Sequence, residues 1–286
     1  MIWLTHTVNG LAYGALLFLV ASGLTTTFGL MRTVNLAHGA FYLLGGYVAF
    51  DLSSGGSNYW LALLAGVAVA AVTGMVVQRV LLQRLAGKEL PQIVLTIGVA
   101  YIIGDQILAA YGGDPIAPPS PKGLEGPIAI SGWVFPKFRL VLIGIALALA
   151  AAMGALLRFT TVGAKIRAAV DDEPIARSVG IRVPWMFLLV FGVGAGLAAF
   201  AGVWGGAFTS LAPESGFEVL LFALVVVIVG GSGSILGALL AAFAVGLVDQ
   251  YGKILFPEWA LFTIYVAVGV FLALRPRGLF GRVAFR

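Results

Sequence analysis

The chain carries no Lys, Arg, Asp or Glu before Arg32, and apolar stretches then recur to its end. They fall at roughly 10–30, 36–50, 60–82, 91–111, 139–157, 186–207, 218–231, 235–249 and 259–274. A helix needs about 20 apolar residues to cross a bilayer, and only helices and closed barrels satisfy their backbone groups there. The pattern predicts an all-α polytopic membrane protein, a bundle of about 8–9 transmembrane segments in a single domain over 1–286. Only 10% of the 286 residues are charged, whereas a soluble domain carries about 25%. Too few charges remain to solvate a surface of that size, which excludes a soluble enzyme, a nucleic-acid binder and a disordered chain. The first stretch is too long for the apolar region of a cleavable signal and has no basic segment before it, so it is expected to remain as a span.

The stretches at 36–50, 218–231 and 235–249 are shorter than a full span and predict broken or re-entrant helices, which must be buried by protein or line a cavity. Between the last two, Gly230, Gly231, Ser232, Gly233 and Ser234 form a tight turn. The 39 glycines include the spacings Gly10-x-x-x-Gly14, Gly202-x-x-x-Gly206 and Gly233-x-x-x-Gly237, which allow close helix approach.

Twelve of the 17 Lys and Arg residues lie in three segments: Arg79 to Lys88, Arg158 to Arg182, and Arg275 to the C-terminus. The positive-inside rule makes these cytoplasmic, with the C-terminus among them. The Pro-rich loop at 111–138 reads as an ordered external cap. The 218–249 hairpin must then enter and leave from outside. The N-terminus is external if 36–50 crosses fully and internal if that segment is re-entrant.

Catalytic signatures are missing. The sequence has no cysteine, no phosphate-binding Gly-x-x-x-x-Gly-Lys-[Ser/Thr] loop and no spaced pair of metal-ligating histidines. Asp105 is the one clear charge inside an apolar stretch, and an ion-coupled carrier or channel working alone would have to rely on it. Thr25, Asn35 and His38 surround a bend beside Arg32. They are candidates for a pathway or hinge role, as are the five residues of the Gly-Ser turn.

The 158–185 connection carries Lys165, Arg167, Asp171, Asp172, Glu173 and Arg177. Asp172 suits a helix N-cap, Pro174 a first turn and Gly180 a C-terminal cap, with a second short helix around Gly163 to Val170. The prediction is a cytoplasmic helical hairpin suited to docking a soluble protein.

Several segments together resemble the shorter of the two permease types of bacterial branched-chain amino acid ABC importers. They are Asn9-Gly10 through Asn35-Leu36-Ala37-His38-Gly39; Leu95-Thr96-Ile97-Gly98; Arg167 through Ile181; Gly230 through Ala238; and Arg275-Pro276-Arg277-Gly278-Leu279-Phe280-Gly281. They span nearly the whole chain in the family's order. The resemblance implies a bacterial inner-membrane importer built from this chain, a second longer permease, two ATPase subunits and a periplasmic or extracellular solute-binding protein. It implies that ATP and magnesium are bound by the ATPases, with no cofactor in this chain. It also implies that the 163–181 hairpin, with Lys165, Arg167, Asp171, Asp172, Glu173, Arg177 and Gly180, couples to an ATPase. The wider ABC permease signature Glu-Ala-Ala-x-x-x-Gly is altered here: Pro174 follows Glu173, and Gly180 falls one residue late. Relatives of this kind carry branched-chain amino acids, other amino acids, urea or short amides.

Overall fold

The computed structural model describes residues 2–31, 35–118, 120–130, 133–276 and 278–280. Every apolar stretch is a helix. The order is α1 (Ile2–Met31), α2 (His38–Ser54), α3 (Tyr59–Val76), α4 (Glu89–Tyr111), α5 (Lys137–Phe159), α6 (Thr161–Asp171), α7 (Glu173–Ser178), α8 (Val183–Thr209), α9 (Ser215–Gly230), α10 (Ile235–Leu255) and α11 (Ala260–Leu274). α3 continues through a π turn and a 3-10 turn to Leu85. Six helical segments are long and apolar enough to cross a membrane, with α9 and part of α11 as shorter apolar helices. The protein is therefore a multi-pass membrane protein.

Two of its faces are distinct. Ends of α1, α3, α5 and α9 meet the starts of α4, α8 and α10 on the face carrying Arg79, Arg84, Lys88, Arg158 and the α6–α7 hairpin, the basic face. The opposite face holds the 111–138 cap. This cap contains an antiparallel pair, β1 (Pro127–Ile130) and β2 (Trp133–Pro136), and a bridge between Ile116 and Leu211. No strand is predicted by the hydropathy pattern, because two four-residue strands in a loop leave no periodic signal. The start of α1 lies on the cap face: Thr5 shares a cavity with Ser120 and Glu125, and the Arg139 guanidinium donates to Asn9 Oδ1.

The predicted short segments divide. α2 begins deep in the bundle, where His38 Nε2 meets the Val20 carbonyl oxygen at 2.9 Å. Val20 lies 11 residues before the end of α1, about 16 Å into the bundle at 1.5 Å per residue. From there α2 runs to the cap face, so the chain re-enters before it crosses. α9 also starts inside, because Gly216 lies against Gly39, and runs to the basic face. The 235–249 stretch, by contrast, is a full 21-residue span ending at Leu255. Its polar last turns stay helical because they pair with the start of α1. Gln250 Nε2 meets His6 Nδ1 at 3.1 Å, Tyr251 Oη meets Thr7 Oγ1 at 2.7 Å, and the Tyr251 and Trp3 rings stack at 5.8 Å.

In chain order α1–α4 and α8–α11 run in opposite senses, and the two series interleave in space. α1 packs on α10 as α8 packs on α3, and α1 crosses α8 at the centre. Two glycine pairs mark this centre. A Cβ on Gly23 would stand 2.5 Å from the Gly194 carbonyl oxygen, and a Cβ on Gly39 would overlap the Gly216 carbonyl oxygen. In lipid, where no hydrophobic gain drives helices together, such close contact supplies the packing energy.

Candidate functional site

The hairpin on the basic face is built from local signals. Thr160 caps α6, its hydroxyl oxygen accepting from the Gly163 N–H at 3.1 Å. Asp172 caps α7, its carboxylate accepting from the Ile175 N–H at 3.0 Å, and Pro174 occupies the first turn. Gly180 follows α7 with φ +85°, a left-handed conformation that glycine adopts without Cβ strain. Ala169, Ala176 and Val183 form a small core beneath, joined by Ile181 and Phe187.

The predicted coupling residues separate by what they touch. Arg167 donates to the carbonyl oxygen of Leu157 near the end of α5, tying the hairpin to a span. Glu173 and Arg177 form an i,i+4 ion pair at 2.6 Å, with the Arg177 side chain 57% exposed. Lys165, Asp171 and Asp172 are exposed. Interleaved with these charges are apolar side chains that the sequence pattern does not flag: Phe159 (78% exposed), Val162, Ile175 and Val179. Charged and apolar groups thus stand together on one small capped element.

Behind the hairpin lie two cavities. One, of about 700 Å³, separates α7 from the α3–α4 connection and is lined by Gln78, Gln83, Lys88, Asp171, Glu173 and Arg177. Gln78 lies in the π turn (Val77–Leu81), a feature with no sequence signature. The other, of about 470 Å³, brings Arg167 and Asp171 to the Gly-Ser turn: Ser232, Gly233 and Ser234 line it, with Gly29 opposite. Sequence reasoning assigns the turn and the hairpin to different roles, but the fold makes them neighbours. Gly231 and Gly233 hold φ +90° and +81°, Ser234 caps α10 by accepting from the Gly237 N–H at 3.0 Å, and Gly230 closes α9.

Thr25, Asn35 and His38 gather at the break between α1 and α2. All three are buried. The Asn35 side chain accepts from the Ala37 N–H at 3.1 Å, closing the turn into α2. Among the described residues, Thr25 Oγ1, Asn35 Nδ2 and His38 Nδ1 have no hydrogen-bond partner. Arg32, expected beside His38, lies outside the described residues, as do Arg277, Gly281, Arg282 and Arg286 of the tail. Leu279 and Phe280 are described, and their N–H groups donate to Val229 and Gly230 at 2.8 and 3.3 Å, fastening the tail to the end of α9. Asp105 stands exposed on the outer face of α4, with Tyr101 and Gln106. It does not project into the bundle, where an ion-coupling carboxylate belongs.

Comparison with known proteins agrees with this architecture. The chain is 26% identical to the high-affinity branched-chain amino acid transport system permease protein BraD of Pseudomonas aeruginosa, over 98% of this chain and 96% of that one. It is 27% identical to the corresponding protein LivH of Escherichia coli, with the same coverage. Among solved structures, PsaBC from Streptococcus pneumoniae in complex with a Fab superposes with a TM-score of 0.52 at 11% identity, over 93% of this chain and 89% of that one, a likeness of fold. The profile of one family, "Branched-chain amino acid transport system / permease component", matches residues 6–273. The chain therefore belongs to the family of permease components of branched-chain amino acid transport systems.

Proposed function

We propose that this protein is one of two permease subunits of an ATP-driven importer for branched-chain or related amino acids. A second, longer permease completes the path, two ATPase subunits dock beneath it, and a periplasmic or extracellular solute-binding protein delivers the solute. The observation that carries this reading is the α6–α7 hairpin. It is capped at both helices and tied to α5 through Arg167, and it presents charge and exposed apolar side chains on the basic face. By the positive-inside rule this face is cytoplasmic, so the hairpin meets the compartment that holds ATP. The relatives named above are branched-chain amino acid permeases, which supports the substrate class.

The chain itself performs no chemistry in this scheme. ATP and magnesium belong to the partner subunits, and the permease converts their closure into motion. Movement of the hairpin passes to α5, α1 and α8, on which it packs, and α1 and α8 carry it to the rest of the bundle. A nucleotide state shifts this equilibrium only through contacts that differ between states, and the hairpin surface and the turn are where such contacts form. The test is reconstitution in liposomes of this chain with the longer permease, the ATPases and the binding protein. Uptake of labelled leucine should require ATP and every subunit. ATP-independent uptake by this chain alone would contradict the proposal.

A further inference from the structure

Glu218 is an exposed carboxylate in the first turn of α9. After α8 ends, residues 210–214 turn back inward, and α9 begins against the start of α2. Glu218 lies in the first turn of α9 on the wall of a cavity of about 270 Å³. Along α1 that cavity runs from Tyr13 to Val20, the middle of a 30-residue helix. A carboxylate at such depth faces a cavity and is matched to a partner there, because exposure of its charge to lipid is costly.

Among the described residues Glu218 has no ion-pair partner; the two ion pairs are Arg177–Glu173 and Lys253–Asp249. Lys253 lies near the same cavity, with its Nζ 5.6 Å from the Tyr13 ring centre, but it is held by Asp249 at 2.6 Å. The first turn of a helix, where Glu218 stands, is the end at which the helix dipole favours negative charge. Tyr13 and Tyr42 line the same cavity as Glu218. Apolar lining comes from Leu17 on α1 and from Phe222, one turn along α9 from Glu218.

Backbone conformation adds a separate sign. Ser210, which also lines the cavity, is the one non-glycine residue among those described with positive φ, at φ 66° and ψ 170°. That region is almost exclusive to glycine, and side-chain-bearing residues held there cluster at functional sites.

We infer that this cavity is a binding station for the transported solute, in which Glu218 receives a primary ammonium group and Leu17 and Phe222 receive a short aliphatic side chain. The hydroxyls of Tyr13, Thr209 and Ser215 stand around the same space and serve the remaining polar end of a zwitterion. The station thus selects an amphipathic cation-bearing solute over a neutral amide or urea, which has no charge to offer Glu218. This rests on the importer reading above.

The test uses the complete importer in liposomes. Glu218→Gln should lower ATP-driven leucine uptake about tenfold, and Glu218→Asp should recover part of it; uptake unchanged in Glu218→Gln overturns the station. The absence of cysteine from the chain permits a second readout. In Ser215→Cys a cationic thiol reagent should react about tenfold faster than an anionic one of equal size. That preference should vanish when Glu218→Gln is added, and leucine-driven turnover should slow the labelling. A preference that survives Glu218→Gln, or labelling indifferent to turnover, also overturns it. If the unaltered importer takes up no leucine, the importer reading fails, and the labelling ratio alone judges the pocket.

Discussion

Gly39 acts through what it lacks. Any Cβ there would overlap the Gly216 carbonyl oxygen, at the point where α2 and α9 start. Neither backbone can retreat without moving a helix that other helices hold. Overpacking of this kind costs roughly 1–3 kcal/mol where neighbours can adjust, and more where the obstacle is backbone. Gly39→Val should therefore abolish folded protein, read as loss of the monodisperse peak in detergent size-exclusion. Gly98 has nothing within 4 Å of a built Cβ, so Gly98→Ala should leave that peak unchanged. The two glycines look alike in sequence. What separates them is a contact 177 positions distant, and no local pattern reports it. Asp172 is the opposite case. An N-cap is a relation between residues three apart, so its place at the start of α7 is legible from the neighbouring residues alone.

At the scale of elements, the hairpin joins two kinds of residue that the sequence presents as one cluster. Arg177 belongs to an exposed i,i+4 pair, an arrangement worth about 0.3–0.5 kcal/mol. Arg177→Glu should thus leave the thermal midpoint within about a degree or two and still lower ATP-driven uptake about tenfold, because it inverts charge on the proposed docking surface. Normal uptake would remove Arg177 from that surface. Arg167 satisfies a carbonyl near the end of α5. A hydrogen bond from a charged group contributes about 1.5–3 kcal/mol, so Arg167→Glu should lower the midpoint as well as uptake. A midpoint unchanged in Arg167→Glu would show that the tie to α5 is dispensable. Span boundaries are legible in sequence to the extent that polarity marks a helix end. α10 runs past its apolar stretch because Gln250, Tyr251 and Lys253 find partners, and hydropathy does not see partners. The strands at 127–136 and the π turn at 77–81 escape for the related reason that both are too short to set a period.

Across the whole molecule, two helix series of opposite sense interleave and touch at Gly23–Gly194 and Gly39–Gly216. The number of apolar stretches and the distribution of charge suffice to predict a polytopic bundle and its basic face. The inversion is not visible in them, since α1–α4 and α8–α11 share helix order and contacts without a repeated motif. The fold does decide the side of the N-terminus, which the hydropathy pattern leaves open: Thr5 and Asn9 lie with the cap. With the basic face cytoplasmic, a cysteine at Ser120, on the cap cavity, should react in intact cells with an impermeant thiol reagent. Reaction only after lysis would invert the assigned orientation.

The central claim is that this bundle works as half of a heteromeric path driven by separate ATPases. Affinity purification of the tagged chain in mild detergent, with the mass and stoichiometry of the intact complex measured, tests it most directly. The account predicts this chain together with a second, longer permease and two ATPase subunits. A stable homo-oligomer with no nucleotide-binding partner would contradict it.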